Sequence, residues 1–276
     1  MKKKSVISLI SYDAAYLPES ISKYYNYVDE IVLGLDKNRT TWSGNSFSFD
    51  EDKLWSDLSA IDGDSKISII EEDFVKSKVA IENDNYERNF LKTQCSNDWI
   101  FSIDADEYLI NTKDFFYNYC PLVERYYNKT DICMTWATPY KTIDNTTLVI
   151  ANEDGTPFFG ENQGMTTSKD STFTYARWTD KSAAGHNRLM SPLVAIHWSL
   201  CRDKDALHEK INNIGHSDLV ENDPFYQIWN QVTLENYEEL HNFKSSGLGT
   251  AQWPILRAIP SDEVTNYIDQ HLDRAY

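Results

Sequence analysis

The chain has 276 residues, of which 41% are hydrophobic and 25% are charged. These values are ordinary for a globular protein and exclude extensive disorder. The formal net charge is −17, from 43 acidic and 26 basic residues. Because an acidic surface repels phosphate backbones, general nucleic-acid binding is disfavoured.

We expect a cytoplasmic protein, because the sequence shows no recognisable targeting signal and no cysteine pair with the spacing of a redox or zinc motif. No stretch approaches the roughly 20 consecutive apolar residues that span a bilayer. The apolar run after Lys2, Lys3 and Lys4 is short, and Tyr12-Asp13 interrupts it before any cleavage site. The four cysteines show no C-x-x-C spacing, so we expect reduced and mostly buried thiols.

The first half of the chain alternates strand and helix patterns. Short apolar runs rich in β-branched residues lie at 6–10, 30–35, 66–70 and 99–103, with helical spacing at 17–27 and 82–96. Continuous apolar runs separated by helices are typical of a parallel sheet covered on both faces. Residues 1–110 are therefore predicted to form a doubly wound half.

The second half has a mixed pattern. Strands are predicted at 132–136, 173–178 and 193–197, and helices from 203 onward, including 223–243 and 261–272. Residues 140–180 are rich in Thr, Asn, Asp and Gly, which favour hairpins and loops. Residues 141–192 are the best candidate for an inserted, substrate-facing region. The predicted fold class is α/β, with a mainly parallel sheet, a mixed second half and C-terminal helices.

The strongest chemical signal is the D-x-D motif at Asp104-Ala105-Asp106, which Glu107 follows. It comes directly after the buried strand 99–103, at the carboxyl end where α/β sheets bind ligands. In an extended segment residues i and i+2 point to the same side, so Asp104 and Asp106 can converge. Converging carboxylates suit Mg²⁺ or Mn²⁺ bridging to a diphosphate. The structural alternative is a polar turn in which Asp104 caps a helix.

The sequence resembles the GT-A glycosyltransferases, specifically the family 2-like group. The segments that carry the resemblance are Glu87-Arg88-Asn89-Phe90-Leu91, residues 97–107, Ile196-His197-Trp198, Lys210-Ile211 and Gly215-His216-Ser217. It implies one GT-A-like domain, with a nucleotide-sugar-binding half (1–110), an acceptor-side half (111–200) and a C-terminal helical segment (201–276).

The resemblance also implies a donor site. Asp36, Arg88 and Asp104 would contact the nucleotide, with Asp36 facing the nucleoside and Arg88 near the base or phosphates. Asp104, Asp106 and His197 would hold Mn²⁺ or Mg²⁺, with Asp106 as the main ligand. The donor would be a nucleotide-diphosphate sugar, and the acceptor a glycan, a lipid-linked sugar or a small molecule.

The catalytic base is open between several carboxylates. Inverting transfer needs a group that takes the proton of the acceptor hydroxyl. Glu153, Asp154, Glu161 and Asp180 all lie in the polar region of the second half. Asp180 is slightly favoured because it follows a predicted strand, and Glu161 is the second candidate.

Three other functions compete with sugar transfer. A nucleotidyltransferase would carry a Gly-rich, basic loop after its first strand, and residues 11–16 contain neither glycine nor a basic residue. A non-catalytic carbohydrate-binding protein would not need converging carboxylates beside an arginine-bearing helix. Sugar transfer onto modified DNA bases would need a basic patch, whereas the only lysine cluster is at residues 2–4.

Overall fold

The computed structural model describes residues 1–182, 187–215, 217, 225–244 and 252–275. Strands in these ranges are β1 Lys4–Ile10, β2 Glu30–Asp36, β3 Ile67–Glu72, β4 Trp99–Ser102, β5 Glu107–Ile110, β6 Asp131–Ala137, β7 Pro139–Ile143, β8 Thr146–Ala151, β9 Glu161–Ser168, β10 Phe173–Tyr175, β11 Trp178–Thr179, β12 Arg188–His197, β13 Phe243–Lys244, β14 Gln252–Trp253 and β15 Ile255–Pro260. Helices are α1 Leu17–Tyr24, α2 Glu51–Ile61, α3 Ala80–Gln94, α4 Thr112–Asp114, α5 Cys120–Val123, α6 Lys204–Asn213, α7 Phe225–Gln231 and α8 Val264–Asp269, and a π-helical segment, Phe115–Tyr119, joins α4 to α5.

An eight-stranded sheet forms the centre of the fold, in the order β3-β2-β1-β4-β9-β6-β12-β5. The first four strands of that order are mutually parallel. Strand β9 is antiparallel to both β4 and β6, and β12 is parallel to β6 but antiparallel to β5. The predicted fold class is confirmed: a parallel, doubly wound first half continues into a mixed second half.

Helices cover both faces of the parallel half because β1, β2 and β4 are buried along almost their whole length. Along β1, Val6 and Ile10 belong to the core under α1 and α2, whereas Ile7 and Leu9 pack with Leu91 of α3. Gly34 of β2 permits this close approach of α3, since a Cβ at that position would lie 2.7 Å from both Glu87 Oε1 and Leu91 Cδ1.

The last part of the chain is less helical than predicted. Strand β15 pairs with β8 and completes a three-stranded sheet with β7. The helix predicted over 223–243 is in part wrong: α7 ends at Gln231, and residues 218–224 lie outside the described ranges. After α7 the Asn236 side chain accepts a hydrogen bond from Thr233 N at 2.7 Å, a local turn that competes with the helix. The prediction over 261–272 is confirmed as a 3₁₀ turn followed by α8.

The described ranges contain no helix that is long and apolar enough to cross a membrane. All four cysteines are free thiols; Cys95, Cys120 and Cys133 are buried and Cys201 is half-buried. Burial raises the pKa of the three buried thiols to about 12, so they are unreactive core residues.

Candidate functional site

A cavity of about 670 Å³ lies at the carboxyl edge of β1, β2 and β4. Its wall includes the polar side chains of Asp13, Asp36, Arg88, Asp104, Asp106, Glu161, Arg177, His197 and Lys210. The segment after β1, the loop after β2, the helix α3 and the D-x-D turn all contribute, as expected for a ligand site in an open α/β sheet. Every donor-site and metal-site residue predicted from the sequence lies in this wall, and so does Glu161; the other candidate bases, Glu153, Asp154 and Asp180, do not.

Sheet register brings the D-x-D turn and His197 together. Strand β4 ends at Ser102, the turn follows, and β5 begins at Glu107. His197 is the register partner of Glu107, and the next residue, Trp198, donates its backbone N–H to Asp106 O at 2.9 Å. The strand that carries His197 therefore pairs with β5 and β6, and not with the strand that ends before Asp104.

Asp106 is buried with two cations on one of its oxygens. Its side-chain Oδ2 accepts from Arg202 Nη2 at 2.7 Å and from Lys210 Nζ at 2.7 Å. Its other oxygen, Oδ1, faces His197 Nε2 at 3.8 Å. Burial alone would raise the pKa of Asp106, but Lys210, His197 and Arg202 outweigh it and hold the pKa well below its usual range. Asp106 is therefore ionised at neutral pH.

Asp104 is paired with the arginine that the sequence singled out. Arg88 Nη1 lies 2.9 Å from Asp104 Oδ1, and Arg88 Nε bonds Asp84 Oδ1 at 2.5 Å. Burial opposes ionisation of Asp104, but the charges of Arg88 and Arg177 lower its pKa to about 2. The Asp104 side chain remains 31% exposed, whereas that of Asp106 is 2% exposed, so Asp104 presents an ionised oxygen to the cavity.

The buried carboxylate of Glu107 stabilises the D-x-D turn. Arg177 reaches it from the turn between β10 and β11 and donates from Nη1 and Nη2 at 2.6 Å each. Glu107 also accepts from Trp136 Nε1 at 2.7 Å and from Asp104 N at 2.9 Å. The Glu107 side chain is 0% exposed and that of Arg177 is 2% exposed. This fully bonded carboxylate fixes the conformation of the D-x-D turn.

His197 is neutral at physiological pH. Burial, Lys210 and Arg177 lower its pKa to about 4, against the opposing effect of Asp106. Its ring stacks on Trp136, with ring centroids 4.0 Å apart and an interplanar angle of 26°. The stacking fixes the ring plane with Nε2 toward Asp106, and a neutral imidazole nitrogen is a metal ligand.

Asp36 organises the loop after β2. Its Oδ1 accepts from Asn38 N at 2.9 Å and Thr40 N at 3.0 Å, and its Oδ2 accepts from Phe74 N at 2.9 Å. The residue is 4% exposed and lies in the cavity wall. These contacts show that Asp36 holds the loop after β2. A contact between Asp36 and the nucleoside remains a prediction.

Of the two preferred candidate bases, Glu161 lines the cavity and Asp180 does not. Glu161 begins β9 and lies in the cavity wall, where it accepts from Trp253 Nε1 at 3.3 Å. Burial raises its pKa above the ordinary value for glutamate. Asp180 is exposed after β11, accepts from Thr172 N at 3.0 Å and does not lie in the wall of this cavity. The preference for Asp180 is therefore corrected, because a base must lie within hydrogen-bond reach of its substrate.

The ion pairs around the D-x-D turn form one connected network. In the described ranges it contains four cations, from Arg88, Arg177, Arg202 and Lys210, and five carboxylates, from Asp13, Asp84, Asp104, Asp106 and Glu107. With His197 neutral the formal charge of the network is −1. A network of this charge can accept a cation, and Arg88, Arg177 and Lys210, which line the cavity, are the members that can contact an anionic ligand.

Sequence reasoning missed most of the cations. Lys210 belongs to the segments that carry the family resemblance, but no role was predicted for it. Arg177 and Arg202 enter from a hairpin turn and from the loop before α6, 70 and 96 residues beyond their partners Glu107 and Asp106. Only tertiary structure brings them to the turn. His216, which belongs to the resemblance, lies outside the described residues.

Comparison with known proteins gives partial structural likenesses only. No protein-family model matches the sequence, and no curated protein matches it. Solved structures with similar folds include an apo UDP-glucose pyrophosphorylase (12% identity, 77% of this chain and 97% of that chain, TM-score 0.37). Others are the bifunctional IspDF from Campylobacter jejuni (13%, 75% and 54%, 0.34) and S. aureus TarS 1-349 (12%, 51% and 36%, 0.32). The chain thus spans about a third of the TarS chain and about half of IspDF.

Proposed function

We propose that the protein is a metal-dependent glycosyltransferase of the GT-A type, which moves a sugar from a nucleotide-diphosphate sugar to an acceptor hydroxyl. One observation carries the proposal: a chain of net charge −17 gathers two buried arginines, Arg88 and Arg177, and Lys210 in the wall of one cavity on the carboxyl edge of a parallel sheet. Arginine forks and a lysine ammonium are the groups that proteins use to bind diphosphates.

The nucleotide would lie across the carboxyl ends of β1, β2 and β4, which border the cavity. Asp36 and Arg88 border this part, and the partly exposed carboxylate of Asp104 faces it. An ionised carboxylate accepts hydrogen bonds from ribose hydroxyls, and Arg88 holds Asp104 in place for this contact.

Asp106 and His197 fit a divalent cation as two of its ligands. The contacts of Asp106 with Arg202 and Lys210 are on Oδ2, so Oδ1 and the neutral His197 Nε2 face each other across 3.8 Å. The described residues contain no group of three or more His, Cys, Asp or Glu side chains that could hold a metal, and Asp104 is engaged with Arg88. Mg²⁺ and Mn²⁺ sites of nucleotide enzymes complete their shells with water and substrate phosphates. When bound, the ion would act as a Lewis acid on the leaving diphosphate.

Glu161 is the proposed general base. It would take the proton of the acceptor hydroxyl, the hydroxyl oxygen would bond to the sugar carbon, and the diphosphate would leave. Burial raises the pKa of Glu161, which makes its carboxylate a stronger base than an exposed glutamate. Two observations support this role: Glu161 lines the same cavity as Asp104 and Asp106, and its register partner Trp136 contacts both Glu107 and His197.

Product analysis tests the proposal. The protein is incubated with UDP-, GDP-, ADP- and dTDP-sugars and Mn²⁺, with water and then a glycan panel as acceptor. We expect release of a nucleoside diphosphate together with free or transferred sugar. Sugar phosphate and a nucleoside triphosphate, formed on addition of pyrophosphate, would instead identify a nucleotidyltransferase. Binding without turnover in every reaction would favour a carbohydrate-binding protein.

A further inference from the structure

Lys210 and Arg202 both contact Asp106 Oδ2, yet they are held very differently. Arg202 Nε also donates to Ser199 O at 3.1 Å, Nη2 contacts Asp13 Oδ2 at 3.1 Å, and the guanidinium lies over the Tyr16 ring at 4.6 Å. Lys210 reaches the carboxylates from α6, with Nζ 2.7 Å from Asp106 and 3.6 Å from Asp13. Arg202 is therefore fixed by several elements, whereas Lys210 is an ammonium on a flexible four-carbon chain.

A metal ion on Asp106 would change the balance of charge at Lys210. The ion would share one carboxylate with the ammonium, so the two positive charges would repel each other at short range. The ammonium also lies in the cavity wall with a side chain that is 13% exposed, so it can turn toward a ligand. The anion that arrives with the metal would be the diphosphate of the donor.

From this geometry we propose that Lys210 is a diphosphate-binding residue that exchanges Asp106 for the terminal phosphate of the nucleoside diphosphate when donor and metal bind together. The inference rests on the proposed function and deepens it. It makes Lys210 a counter-ion of Asp106 in the free protein and a specificity residue for diphosphates over monophosphates in the complex. It also implies that the metal binds weakly alone and tightly with a diphosphate.

The test compares Lys210→Met with wild type by calorimetry, using Mn²⁺ alone and then a nucleoside diphosphate or its monophosphate in the presence of Mn²⁺. The variant is expected to bind Mn²⁺ alone at least tenfold more tightly, since the competing ammonium is gone. It is expected to bind the diphosphate at least tenfold more weakly, with monophosphate affinity within about twofold of wild type; these fold-changes correspond to loss of one charge-assisted contact. Lys210→Arg should restore most of the diphosphate affinity.

Lys204→Met is the matched control, because Lys204 is an exposed lysine on the same helix. It should leave all three affinities unchanged. If Lys210→Met lowers thermal stability but leaves the ratio of diphosphate to monophosphate affinity unchanged, Lys210 is only a structural counter-ion and the inference is overturned.

Two further readouts keep the test decisive. If Lys210→Met does not fold, wild type alone still tests the inference: a diphosphate must raise Mn²⁺ affinity at least tenfold more than its monophosphate does, and equal effects would overturn it. If wild type binds no nucleoside diphosphate at all, the proposed function fails, and this inference fails with it for that distinct reason.

Discussion

Replacing Arg177 with methionine tests whether the D-x-D turn depends on its buried support. The substitution removes both 2.6 Å bonds to Glu107 and the 3.1 Å bond to Ser102 O. Glu107, which is 0% exposed, keeps the bonds from Trp136 Nε1 and Asp104 N. Removing one partner of a buried ion pair costs about 3–5 kcal/mol, and the two surviving bonds place Arg177→Met near the lower value, about 3 kcal/mol.

Urea denaturation and differential scanning calorimetry measure this loss. In a protein of this size about 3 kcal/mol corresponds to a decrease in Tm of roughly 6–12 °C. The control is Arg125→Met, at an exposed arginine, which should change stability by no more than about 0.5 kcal/mol. In a double-mutant cycle, Arg177→Met combined with Glu107→Gln should be less destabilised than the sum of the two single substitutions.

A loss below about 1 kcal/mol for Arg177→Met would refute the reasoning, because it would mean that Glu107 does not need its partner. Strict additivity in the cycle would refute it as well. Either result would show that the short contacts between Arg177 and Glu107 contribute no net interaction energy, and the turn would then be held by backbone geometry alone.

Three further substitutions test other parts of the site. Glu161→Gln should lower kcat by about 10²–10⁴-fold and leave donor affinity unchanged, as measured by steady-state kinetics and calorimetry. Asp106→Asn should weaken Mn²⁺ binding and also lower the urea midpoint, because Arg202 and Lys210 lose the charge they share; unchanged Mn²⁺ affinity would exclude Asp106 as a ligand. The pKa of His197 is about 4 in the folded protein and about 6.5 unfolded, so the unfolded chain takes up the proton first as pH falls. Wild type should therefore lose up to about 1.4 kcal/mol per pH unit more than His197→Gln between pH 6.5 and 4, and equal urea-midpoint profiles would contradict the buried neutral state.

The position of the D-x-D turn could be predicted because its signal is local. An apolar strand followed by Asp104-Ala105-Asp106 puts the carboxylates at the carboxyl edge of the sheet, independently of the remaining sequence. The charge state of the turn could not be predicted in the same way. The repulsion between Asp104 and Asp106 is outweighed without a metal ion, since Arg88 compensates one carboxylate, and Arg202 and Lys210 compensate the other.

Strand β9 shows why the second half was harder to predict. Its sequence, Glu161–Ser168, contains Gly164, a methionine and several polar residues, without a continuous apolar run or strict alternation. It nevertheless lies between β4 and β6 in the centre of the sheet, and the backbone of Arg177 packs where a Cβ of Gly164 would lie, at 2.8 Å. Such a strand is specified by its neighbours and not by its own pattern.

Helix α2 was missed although the sequence carried a signal for it. Asp50 caps the helix by accepting from Lys53 N at 3.0 Å, and Glu51 and Asp52 place acidic side chains in its first turn. A cap followed by acidic residues and by Leu54 and Leu58 at helical spacing predicts a helix start. The apolar side of α2 is short, with only these two leucines fully buried, so periodicity alone was weak.

The central claim is that this cavity binds a nucleotide-diphosphate sugar together with a divalent cation. A thermal-shift panel of nucleotide sugars, each with and without Mn²⁺, tests it most directly. A ligand at about 100 times its Kd adds about 2.7 kcal/mol, which for a chain of this length raises Tm by roughly 5–10 °C. We predict such a shift for at least one nucleotide sugar only when Mn²⁺ is present, and its loss in Asp106→Asn. The absence of any shift across the panel, or a shift of equal size without metal and in Asp106→Asn, would contradict the account.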